Sequence, residues 1–200
     1  MPSPRRFGVS FFLAALAACV AAFHVRAQEF TFQLDRAQTK IEFTLHDVLH
    51  TVHGTFALES GTIRFDPANG KISGAILVDA ASGESGNGTR DRRMHREILE
   101  SAKFPEIVFI PGQMIGTVAS KGASRVEVVG QLRLHGQDHD VTLPIDITAE
   151  GTQLRIMTHF IIPYVQWGVK NPSTFILRVS DKIEIDVHAT GQVQSAEGPR

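Results

Sequence analysis

Between Gly130 and Ile147 the chain reads Gly-Gln-Leu-Arg-Leu-His-Gly-Gln-Asp-His-Asp-Val-Thr-Leu-Pro-Ile-Asp-Ile, two alternating arms around a turn that holds Gly and Asp. Successive side chains of a strand point to opposite faces. A period of two therefore puts Leu132 and Leu134 on one side of the first arm, and Val141, Leu143, Ile145 and Ile147 on one side of the second. The stretch is expected to be a β-hairpin with one dry face and one polar face. His135 and His139 then bracket the turn as exposed residues.

The same rhythm runs through most of the chain. Phe30, Phe32 and Leu34, then Ile41, Phe43 and Leu45, then Phe56 and Leu58, then Ile63 and Phe65 alternate with polar residues. Further strands are expected at 72–79, 107–110, 126–134, 141–148, 154–162, 175–179 and 183–189. Turn residues punctuate the series at Asp35-Arg36-Ala37, Ser60-Gly61, Asp66-Pro67-Ala68-Asn69-Gly70, Pro111-Gly112 and Lys121-Gly122. One stretch breaks the pattern. Residues 89–103 are charged, with Met94, Ile98 and Ala102 four apart, which predicts a short helix near 90–102 ended by Phe104-Pro105. No repeat, linker or shift in composition divides the chain, so 28–193 reads as one domain with a polar tail at 194–200. About eight to ten short antiparallel strands avoid exposed edges most simply by closing into a barrel. The expected class is all-β, a single antiparallel barrel of about eight strands.

Residues 1–27 have the three parts of a secretory signal: a basic start ending in Arg5-Arg6, an apolar run over 7–23, and the small-residue end Val25-Arg26-Ala27. Cleavage near Ala27 would release the domain into the periplasm or the medium. An alternative is a lipobox at Leu16-Ala17-Ala18-Cys19, which would keep the chain anchored through a lipidated Cys19. The paired arginines match a twin-arginine signal poorly. Cys19 is the only cysteine, so the mature domain is expected to hold no disulfide and must rest on its core. Removal of Arg5, Arg6 and Arg26 leaves 173 residues with 17 basic and 21 acidic side chains. That balance gives no general attraction to nucleic acid.

Ten side chains are expected to face the barrel interior: Phe43, Leu45, Phe56, Ile76, Val78, Phe109, Leu132, Leu134, Leu143 and Ile145. All are apolar, with no charged stripe or paired carboxylate that a sugar or nucleotide pocket would use. An eight-stranded barrel is just wide enough for its side chains to fill, or to hold one ligand when the wall residues are not all large. The residue pattern is compatible with either interior.

Several motifs, in order, resemble the YceI-like family, bacterial polyisoprenoid-binding proteins of lipocalin-like barrel fold. Ile41-Glu42-Phe43-Thr44-Leu45-His46 is similar to the family's first alternating strand, and Val52-His53-Gly54-Thr55-Phe56 to its Val-x-Gly-x-Phe. Arg90-Asp91 with Met94-His95 resembles Arg-Asp-x-His-Leu, with two residues rather than one between Asp91 and Met94. Lys103-Phe104-Pro105-Glu106-Ile107-Val108-Phe109 resembles Lys-Tyr-Pro-x-Ile-x-Phe, and the hairpin after Gly130 follows in the family's order. Residues 164–173, around Trp167, are similar to the end segment of one family branch. The resemblance spans about residues 30–188 and implies an apolar tunnel that accepts a polyisoprenoid or similar long amphiphile, with no other cofactor. For an isoprenoid of about 40 carbons, roughly −0.3 kcal/mol per heavy atom gives about −12 kcal/mol, a nanomolar affinity from apolar burial alone.

Polar residues add candidates. Arg90 and Asp91 are expected to pair and pin the helix over a barrel end, and Arg90 is the candidate contact for a ligand head group, with Arg92, Arg93 and Arg96 on the same helix. Trp167 and Tyr164, the only tryptophan and tyrosine, are expected to edge the cavity or plug one barrel end. His46, His50 and His53 have a spacing that suits metal ligands on a helix, but they lie between strands, where a loop with exposed histidines is expected instead. Asn87-Gly88-Thr89 matches a glycosylation sequon by chance. With no mature cysteine, no Gly-x-Ser-x-Gly elbow and no glycine-rich phosphate loop, catalysis is not expected. Two alternatives stand beside a lipid-binding envelope protein: a hydrolase or metal enzyme using His46, His50, His53 or His95, and an interaction module with a filled core. Membrane proximity and a homodimer are compatible with the first reading.

Overall fold

The computed structural model describes residues 29–174 and 178–195; the expected signal segment 1–27 lies outside them. Nine strands are described: β1 (Phe30–Leu34), β2 (Lys40–His46), β3 (Thr51–Asp66), β4 (Lys71–Glu84), β5 (Glu106–Ile115), β6 (Gly122–Leu134), β7 (Gln137–Glu150), β8 (Gln153–Ile162) and β9 (Ile183–Ser195). Between β4 and β5 lies α1 (Gly88–Arg93), continued by a π-helical turn (Met94–Ile98).

Sequential antiparallel pairing runs from β3 to β8, β8 pairs with β9, and β2 bridges β9 back to β3. The sheet is therefore closed. β1 pairs with the outer halves of the same two strands, β3 and β9, so β1 and β2 share one slot in an eight-stranded barrel. The interruption is a single 3₁₀ turn (Arg36–Gln38), with Asp35 accepting from Ala37 N at 2.8 Å to start it. It absorbs two residues relative to β3 and three relative to β9. Such an insertion bends a strand without breaking closure.

Alternation sets the interior. On β6, Val126, Val128, Gly130, Leu132 and Leu134 are buried while Arg125, Glu127, Gln131 and Arg133 are exposed, and on β7 Leu143, Ile147 and Ala149 are buried. The hairpin between them closes through His135 and Gly136, both at positive φ (52° and 77°), the handedness that a two-residue turn needs to match strand twist.

Four expectations change. Ser60-Gly61 is no turn: β3 continues through it past an irregularity between Leu58 and Ser60, with Ser60 opposite Leu77 and Gly61 opposite Ile76. A Cβ at Gly61 would come within 3.0–3.2 Å of Leu34, so this glycine gives room to a core side chain rather than bending the chain. Pro111-Gly112 also stays inside a strand, at an irregularity between Pro111 and Gln113, where a residue without an N–H removes no regular ladder bond. His139 belongs to β7 rather than to a turn. At the C-terminus, β9 continues through Gln194 and Ser195, which pair with Thr31 and Phe30, so the polar composition there does not end the strand. Of the strand expected at 175–179, residues 175–177 lie outside the described residues, and Val179 forms an isolated bridge to Asp47.

Candidate functional site: an apolar chamber with a basic mouth

Two adjoining cavities occupy the barrel. The inner one, about 220 Å³, is lined by aliphatic and aromatic side chains from β1 to β9, with Thr39 and Thr158 its only polar lining residues among those described. The outer one, about 540 Å³, lies beneath α1 and the loop after β8. Phe56, Ile107, Leu134, Ile162 and Ile185 line both, so the two chambers adjoin at these side chains. Whereas Leu58 and Val126 are buried, inward residues such as Ile76, Ile145 and Phe160 stay half-buried where they line the inner cavity. A filled barrel would bury these outright.

The interior candidates fall on this chamber. Ile76, Val78, Phe109, Leu132, Leu143 and Ile145 line the inner part, Phe43 and Leu45 the outer part, and Phe56 and Leu134 both. Sequence reasoning missed the other junction residues, Ile107, Ile162 and Ile185. Each continues an alternating run already recognised, but their place at the constriction depends on barrel shear, which alternation does not encode. Trp167 is a correction. It lines neither cavity and stacks on His139, ring centroids 4.1 Å apart and planes within 3°. The loop turns back on itself, with Trp167 N donating to Pro163 O at 3.1 Å and Val169 N to Tyr164 O at 3.0 Å. That turn sets Trp167 against the barrel rim and leaves Tyr164 and Val169 to line the outer chamber.

Among the described residues, charged lining groups occur only in the outer chamber: Asp47, Arg90 and Arg93. Asn87 starts α1 by accepting from Thr89 N and Arg90 N, both at 3.1 Å, so the sequon asparagine is a helix cap. The expected Arg90–Asp91 ion pair is replaced by a shared grip on Ser85. Arg90 donates from Nε to Ser85 Oγ (2.7 Å) and from Nη2 to Ser85 O (2.8 Å), while Asp91 accepts from Ser85 N (3.0 Å) and from its hydroxyl. Neighbours at i and i+1 on a helix diverge, so a common third residue is the nearer partner for each. His95 fastens the π turn, with Nε2 2.8 Å from Gly83 O and Nδ1 3.2 Å from Ser101 Oγ.

The loop histidines do not converge. His46 Nδ1 meets Thr51 Oγ1 and His53 Nδ1 meets Thr44 Oγ1, each at 3.1 Å as cross-strand pairs, while His50 lies in the turn. No group of three or more His, Cys, Asp or Glu among the described residues is arranged to hold a metal. Asp47 ties the turn, accepting from Leu49 N at 2.7 Å and His50 N at 2.6 Å. The Leu49 hydrogen bond foremost holds its carboxyl below the usual range, so it stays ionised at the mouth. Tyr164, buried beneath the loop, donates to Ser180 O at 2.6 Å, and burial with the nearby Asp181 charge pushes its hydroxyl up to about 12.

A closed eight-stranded antiparallel barrel with an apolar interior defines a lipocalin-like fold. A YceI-like domain matches residues 32–191, and the chain belongs to the YceI-like family. A UPF0312 protein of Vibrio cholerae is 29% identical over 131 residues, 64% of this chain and 65% of that one, so the chain spans about two thirds of that relative. A UPF0312 protein of Pseudomonas savastanoi is 28% identical over 145 residues, 70% of this chain and 73% of its own. Among solved structures, Burkholderia cenocepacia BcnA superposes with a TM-score of 0.65 at 19% identity, covering 78% of this chain and 98% of that one. A polyisoprenoid binding domain from Saccharophagus degradans, implicated in plant cell wall breakdown, superposes with a TM-score of 0.61 at 13% identity, covering 82% and 98%. At these identities the superpositions establish a shared fold.

Proposed function

We propose that this protein is a non-catalytic binding protein that holds a polyisoprenoid or similar long-chain amphiphile, tail in the barrel and head at the mouth, and carries or sequesters it in the cell envelope after export. The observation that carries this reading is the polarity gradient across two adjoining chambers: among the described residues no charged group lines the inner 220 Å³, and Arg90 and Arg93, with Asp47, stand at the outer one. A long apolar chain gains from every methylene it buries there. A phosphate or other anionic head would meet guanidinium donors rather than hydrocarbon. The Saccharophagus polyisoprenoid binding domain of the same fold supports the ligand class.

Leu134→Trp tests it, because Leu134 lines both chambers at their junction. The folded variant should lose uptake of a polyprenyl phosphate that the unaltered chain binds. Equal uptake by both would refute the tunnel reading.

A further inference from the structure

We infer that the mouth of the barrel docks on an anionic lipid surface, with the Val48–Leu49 tip entering the bilayer interface and the arginines around it resting on the head groups. The inference builds on the lipid-binding reading above, since docking would set the chamber opening against the source of its ligand.

Val48 and Leu49 are 65% and 72% exposed, the most exposed large apolar residues among those described. They form the tip between β2 and β3, and the structure holds them outward. The Asp47 carboxylate ties the backbone of Leu49 and His50, and Val48 N donates to Arg178 O at 3.2 Å. Asp47 and Val179, bridged to each other, both line the outer chamber, so the tip stands on its rim.

Positive charge gathers on the same rim. Arg90 and Arg93 line the chamber, Arg92 and Arg96 lie beside them on the helical segment, Arg178 flanks the apolar tip, and exposed Lys170 lies between the lining residues Val169 and Pro172. The acidic groups among them are engaged: Asp91 with Ser85, Glu97 with Arg93 and Arg96, and Asp47 with its own turn. Asp181 and Glu184 are the remaining acids on the chain leaving the mouth. Against the five acids named here stand six cations, a slight local excess of base in a sequence whose formal net charge is −1. An exposed apolar tip that shares its rim with several guanidinium groups suits an anionic bilayer better than a neutral one.

The test is flotation of the mature chain with phosphatidylcholine vesicles made with and without phosphatidylglycerol. The chain should float with the anionic vesicles only, and less so as salt is raised. A double variant, Val48→Ser with Leu49→Ser, should bind them roughly tenfold or more weakly, and Arg92→Glu several-fold more weakly. Both should still take up polyprenyl phosphate presented in detergent, read by native mass spectrometry. Absence of flotation with anionic vesicles, or equal flotation of the double variant, overturns the docking inference. Retained detergent uptake in that case leaves the carrier reading intact and directs attention to a protein acceptor. Flotation by a chain that takes up no polyprenyl ligand supports docking and refutes the carrier reading.

Discussion

His135 Nε2 lies 2.8 Å from Glu100 Oε2, and these two are the only non-glycine residues with positive φ among those described, 52° and 45°. The contact joins the turn of the β6–β7 hairpin to the segment that carries the helix. Phe104 reinforces it, its ring 4.3 Å from that of His135. Two left-handed residues that hold each other point to a designed junction, since each conformation alone is unfavourable.

Glu100→Ala should remove the contact and keep the unfavourable backbone, costing about 1 kcal/mol. For a domain of this size that is a fall in Tm of about 2–4 °C. Glu100→Gly removes the same contact but relieves the backbone, so its melting temperature should exceed that of Glu100→Ala. Thermal denaturation of the two variants side by side checks the order.

Gly54 cannot carry a side chain. An added Cβ would lie 2.2 Å from Phe43 Cζ and 2.3 Å from Glu84 O, and although a ring tip can shift, a strand carbonyl cannot. Gly54→Ala should therefore destabilise the domain by about 1–3 kcal/mol, measured by chemical denaturation.

Tyr164 gives the fold an alkaline limit. Its hydroxyl titrates near 12 when folded, against about 10 in the unfolded chain, so the folded state holds the proton more tightly. This contribution is complete below pH 10 and is lost as pH rises from about 10 to 12. As the only tyrosine, it can be followed alone by phenolate absorbance. Tyr164→Phe should flatten the stability curve over that window.

Leu134→Trp should leave the barrel folded. Open volume on both sides of this position gives the larger ring room, so the loss should fall toward the low end of the roughly 1–3 kcal/mol that overpacking usually costs. Circular dichroism together with ligand uptake separates a blocked tunnel from an unfolded one.

The barrel was legible in the sequence because one dry face per strand forces period two, and Leu132, Leu134, Leu143 and Ile145 fell on the interior as read. Strand ends were less legible. Ser60-Gly61 and Pro111-Gly112 carry turn composition, yet their small or donor-free residues serve close packing and a strand irregularity inside continuous strands. Trp167 was misplaced because a loop has no period to tell which side a ring faces, and its partner His139 lies 28 residues away in the chain. Arg90 reached the mouth as expected, but its partner Ser85 became visible only with the helix in place.

The most direct test is native mass spectrometry of the mature protein, purified gently from an exporting host, followed by organic extraction of what it carries. A discrete adduct that extracts as an isoprenoid or other long-chain lipid, and is lost in Leu134→Trp, is the expected result. A bare mass that stays unchanged after incubation with polyprenyl compounds would contradict a lipid-holding chamber.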